Sequence, residues 1–205
     1  MRLNRLFRRA LLAATTAAVL ATGATGALAA PAGAPHRPAA AGHPYQDLLP
    51  FADLSAQRLL TADQVAAAKW GTDSPIDDPA RERQVLEAVA RQAVELGADP
   101  EATVRIFRDQ IEANKVVQRA LHRQWAADPD SAPTERPDLS QVRQEINRVN
   151  GELVRAIAAS ATARTARACP ALLTAGAVRV AHARDLDALH GLALARALPS
   201  VCERA

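Results

Sequence analysis

Lysine occurs twice in this 205-residue chain and arginine 23 times, so each lysine raises a question of chemistry. One stands in the stretch KWGTDSPIDDPARERQV, Lys69 to Val85, with three aspartates, two arginines, a glutamate and two prolines. Arg58 lies eleven residues before Lys69. Eleven steps of 100° fall about 20° from three full turns, so on a helix both project from one face, about 16 Å apart along the axis. Two long side chains lean together over that distance. Asn114 and Gln118, at i and i+4, share a face of a later helix. Arg143 falls in the first turn of another, on the side of Ile146 and Asn147. A cation beside the positive end of a helix dipole is unfavourable unless an anion sits there, which points to a ligand carboxylate. Taken singly, each of these residues also fits a solvated face or an ordinary salt bridge.

Constellations for covalent or metal chemistry are missing from the sequence. There is no G-x-S-x-G, no phosphate-cradling glycine loop and no H-E-x-x-H. The only neighbouring histidines of the folded part, His182 and His190, read as solvated or capping residues, and neither metal nor cofactor is expected.

The elements that must carry the polar residues are helical. Ala, Leu, Arg, Gln and Glu dominate, aromatics make up 3%, and no stretch alternates with period two, so the class is all-α, about six helices in one domain. Apolar spacing predicts a first helix from Leu48 to Trp70, kinked near Thr61 to Asp63 and stopped by a turn over Gly71 to Pro75. Asp78 then caps a second helix opened by Pro79 and ended by Gly97, and Asp99 with Pro100 repeats the device for a third that runs to Trp125. The three prolines of Ala126 to Pro137 make a loop. Asp138 or Ser140 starts a fourth helix with the stripe Val142, Ile146, Val149, Leu153 and Ile157. Pro170 to Ala181 and Arg184 to Leu198 read as two shorter helices.

Residues 1–29 hold four arginines, an apolar run and a small-residue A-L-A site ending at Ala29, the pattern of a secretory signal peptide. Residues 30–43 form a Pro/Ala-rich linker, leaving 44–205 as the folded domain. The leader takes four of the 25 basic residues and none of the 22 acidic ones, so the remainder, 21 against 22, sits near a net charge of −1. That removes the electrostatic case for nucleic acid or an anionic membrane as partner, and no later segment offers some 18 uninterrupted apolar residues. Cys169 and Cys202 in an exported chain permit a disulfide, which would stabilise the fold by about 3 to 4 kcal/mol through loop closure.

Together these features resemble the AroQ class of chorismate mutases, and the leader, length and cysteine pair resemble its secreted subclass. The resemblance covers Gln46 to Cys202 and rests on Arg58 and Lys69 with ten residues between, PIDDPARE (Pro75 to Glu82), IFRDQIEANKVVQ (Ile106 to Gln118) and PDLSQVR (Pro137 to Arg143). It implies the cofactor-free Claisen rearrangement of chorismate to prephenate, on the route to phenylalanine and tyrosine. It also implies roles. Arg58, Arg81 and Arg143 would grip two carboxylates, Lys69 and Gln118 would donate to the breaking ether oxygen, and Glu82, with Asp78, would hold the ring hydroxyl. Asn114 stands where the family contacts a substrate carboxylate. Some secreted members place a glutamate where this chain has Gln118; a glutamine needs no protonation, so activity flat from mildly acidic to mildly alkaline pH is expected. The subclass implies a homodimer with each site inside one chain. Asp73, Asp77 and Arg83 gain no role and are expected to be solvated. The competing reading is an exported, non-catalytic helical module that binds a small carboxylate or a partner helix.

Overall fold

The computed structural model describes residues 43–203; the expected leader, and the expected linker except His43, lie outside them. The first described helix buries residues on several of its faces. This helix, α1 (Pro44–Lys69), buries Leu48, Phe51, Ala52, Ala56, Leu59, Ala62 and Ala66. Alanines on several faces let neighbours approach closely, and three later helices pack on it: α3 (Pro100–Ala127), α4 (Leu139–Ala159) and α6 (Cys169–Ala183). α1 starts four residues earlier than its periodicity indicates, because Pro44 occupies the opening turn where a missing N–H costs nothing. Through Thr61 to Asp63, where a kink is expected, α1 continues as one helix, and the Thr61 hydroxyl donates back to the Arg58 carbonyl at 2.7 Å.

α2 (Pro79–Glu95) packs on α3 and α4. The caps stand where the sequence indicates. Asp78 accepts from the Arg81 amide at 3.0 Å, Asp99 from Glu101 and Ala102, and Asp138 from Ser140. Gly71 and Gly97 end α1 and α2 at φ +67° and +70°, backbone that a side chain would strain.

The C-terminal part departs more from expectation. A one-turn helix, α5 (Ala161–Thr165), follows α4, and α7 (Ala188–Arg196) starts later than Arg184. Asp187 is its cap, accepting from the His190 amide at 2.8 Å, while Asp185 in the preceding turn holds φ +47°. The described residues thus form seven α-helices and no strand. Cys169, at the start of α6, is disulfide-bonded to Cys202, just past α7. Among the described residues no helix is long and apolar enough to cross a membrane.

Candidate active site

The C-terminal end of α1 is pinned from two directions. Trp70 meets His122 and Trp125 edge-on in an aromatic cluster with ring centroids 5.1 to 5.6 Å apart, and the His122 Nε2–H donates to the Ala66 carbonyl at 2.9 Å. Arg136, from the loop before α4, donates to the Trp70 carbonyl at 3.2 Å. Lys69 therefore leaves a fixed point. Its ammonium is buried and donates to the Pro75 carbonyl at 2.8 Å.

Three turns back along α1, Arg58 is buried as well. Its Nε donates to Asn150 Oδ1 on α4 and a terminal nitrogen donates to the Gln110 carbonyl on α3, each at 2.8 Å, and the guanidinium lies 5.9 Å from the centre of the Phe107 ring. Those contacts fix the plane of the fork and leave N–H groups free, since a guanidinium carries five. From α2, Arg81 donates to Asn147 Oδ1 on α4 at 3.1 Å. Arg143 projects from the first turns of α4.

All four cations line one cavity of about 100 Å³, together with Asp78, Glu82, Asn114 and Gln118, so the eight residues singled out from the sequence share a single site. Among the described residues none of the four has a carboxylate within ion-pair distance. Other buried cations are paired: Lys115, which lines the same cavity, with Asp77, Glu82 and Glu112, and Arg164 with Glu203 at 2.9 Å. Burying a charge without a partner is costly, and the cost shows in the titration. Burial pushes Arg58 down to about 10. Burial likewise holds Lys69 below the usual lysine range, with Arg143 pushing the same way and Asp78, Asp77 and Glu82 opposing. Arg81 is lowered first by burial, then by Arg143. An incoming carboxylate relieves all of these.

Gln118 and Asn114 close the α3 side. Gln118 Nε2 donates to Asn114 Oδ1 at 2.6 Å, while its Oε1 is buried without a partner. An unmade bond of that kind costs about 1 to 3 kcal/mol, and the second N–H of Gln118 Nε2 remains for a further acceptor.

Lys115, the second lysine, is a part of the site that sequence reasoning left without a role. It lies between the assigned Asn114 and Gln118 on the face that carries Ile111, the i, i+3, i+4, i+7 signature of one buried stripe, and it lines the cavity. Asp77 corrects an expectation. It is not simply solvated: it pairs with Lys115 at 3.2 Å and Arg119 at 2.6 Å, and the Arg119 and Lys115 hydrogen bonds hold its carboxyl below the usual range. Asp73 and Arg83 are exposed, as expected.

A larger cavity of about 720 Å³ lies between α6 and α7, lined mainly by apolar side chains such as Leu173, Ala177, Leu194 and Leu198. It lacks the convergent unpaired cations of the smaller one.

A helical frame that gathers three guanidiniums and the Lys69 ammonium, none of them with a carboxylate at ion-pair distance, around one cavity defines a site suited to an anion. Residues 51–119 match the family model for chorismate mutase type II. The chain is 40% identical over 184 residues to a secreted chorismate mutase of Mycolicibacterium smegmatis, an alignment covering 90% of this chain and 99% of that one. It is 35% identical over 156 residues to the secreted chorismate mutase of Mycobacterium tuberculosis, covering 76% and 78%. The crystal structure of a chorismate mutase from Burkholderia phymatum superposes with a TM-score of 0.75 at 36% identity, over 80% of this chain and all of that one. The chain belongs to the chorismate mutase family.

Proposed function

We propose that the cavity between α1, α2, α3 and α4 is where this chorismate mutase binds chorismate and rearranges it to prephenate. The observation that supports it most is the convergence of Arg58, Lys69, Arg81 and Arg143 on one site without carboxylate partners. Chorismate is a flexible dianion that must be held in a chair-like conformer, while charge grows on its breaking ether oxygen. Planar guanidiniums at 58, 81 and 143 suit the carboxylates, because the fork geometry fixes orientation as well as charge. Lys69 is a compact point donor for the ether oxygen, and the Gln118 amide is the second. If each donor is worth about 3 kcal/mol in a dry site, the pair supplies on the order of 10⁴ in rate. Glu82, with Asp78, takes the ring hydroxyl, and Asn114 lies beside the carboxylate grip. Binding must draw long side chains back, since ligand sites usually enclose about 300 Å³ or more.

The protein acts outside the cytoplasm, as its secreted relatives do. In this reading residues 1–29 are the export leader, 30–43 a spacer and 44–205 the catalytic domain, which assembles as a homodimer. Replacing Arg81 or Arg143 by alanine should raise KM for chorismate about tenfold or more. An unchanged KM in both variants would remove them from the carboxylate grip.

A further inference from the structure

Lys115 is buried on α3 beside the cavity, and its three ammonium protons meet three carboxylates: Glu82 at 3.1 Å, Asp77 at 3.2 Å and Glu112 at 2.5 Å. An ammonium has three donors and no more, so none remains for a ligand. We propose that Lys115 is a positioning residue: by saturating one oxygen of Glu82 it aims the other at the substrate and cancels carboxylate charge that would repel a dianion. The inference rests on the assignment of Glu82 to the ring hydroxyl made above.

The geometry favours this role over simple structural pairing. Lys115 joins three separate pieces of the site wall: α3 through Glu112, the turn before α2 through Asp77, and the first turn of α2 through Glu82. The same turn offers the Pro75 carbonyl to Lys69, so the two lysines hold it from opposite sides. Only Glu82 Oε1 is engaged by Lys115. Without the ammonium, Glu82 and Glu112 would have no cation between them, Asp77 would keep only Arg119, and Glu82 would swing out to water.

A double-mutant cycle separates the alternatives. Steady-state turnover of chorismate is measured for the parent, Glu82→Gln, Lys115→Met and the double variant, with melting temperatures alongside. The expected result is a loss in kcat/KM of about 30-fold for Lys115→Met in the parent and less than about threefold in the Glu82→Gln background, with Lys115→Arg restoring most of the activity. An equal loss in both backgrounds, or no loss in the parent, overturns the proposal while leaving the Glu82 assignment intact. Full activity of Glu82→Gln overturns that assignment and the proposal with it. Should Lys115→Met fail to fold, Asp77→Asn, which loosens the ammonium without removing it, carries the same cycle: a loss that vanishes with Glu82→Gln supports the proposal, and one that persists overturns it.

Discussion

Lys69 donates its ammonium to the backbone carbonyl of Pro75, 2.8 Å away and six residues along the chain. A carbonyl orients an ammonium without neutralising it. The turn that leads from α1 into α2 therefore holds the charge in place and leaves it available, which is the condition a transition-state donor requires.

That availability carries a cost in stability. Lys69→Met, close in volume and uncharged, should raise the melting temperature of the ligand-free protein by about 2 to 4 °C, as expected when a buried unpaired charge is replaced by packing. Calorimetry or thermal circular dichroism reads it. A lower melting temperature would mean that the Pro75 contact stabilises more than the burial costs.

Gln118 sets the pH range. A glutamine does not titrate, so kcat/KM should stay flat from about pH 5 to 8, whereas Gln118→Glu should be active only while its carboxyl is protonated, and lose activity as pH rises through the carboxylate range. Because burial lowers Lys69, the parent should lose activity on the alkaline side before an ordinary lysine would titrate. A parent profile that falls steeply between about pH 5 and 7 contradicts the role given to Gln118.

His190 ties α7 to α1. Its Nδ1–H donates to Asp187 at 2.8 Å and its Nε2–H to Asp63 at 3.0 Å, so both nitrogens carry protons. The Asp63 hydrogen bond, opposed by burial and helped by Asp187, raises the imidazole to about 9. A raised pKa stabilises the fold fully below the unfolded value of about 6.5 and stops doing so as pH climbs through about 9. With both aspartates largely exposed, the contribution is about 1 to 2 kcal/mol. Urea midpoints of the parent should fall between pH 6.5 and 9 relative to His190→Gln; parallel midpoints across that window would refute the linkage.

How much of this could be read from the residues depends on how local the governing physics is. Asp78-Pro79, Asp99-Pro100 and the two terminating glycines act within one helical turn, so α2 and α3 start where the sequence places them. The eight residues taken from spacing on α1 and α3 and from motif resemblance line one cavity. What escaped depends on tertiary partners. Lys115 and Asp77 gain meaning only when α3 meets the turn before α2, 38 residues apart in sequence. The late start of α7 follows from the capping turn at Asp185 to Asp187 and its clasp on α1 through His190.

The account stands on Lys69 as the donor to the breaking ether bond. Its most direct test follows the disappearance of chorismate with purified protein and with Lys69→Ala under matched conditions. Loss of one such donor should lower kcat by about 10² to 10³, with little change in circular dichroism. Undiminished turnover in the folded variant, or no turnover by the folded parent, would contradict it.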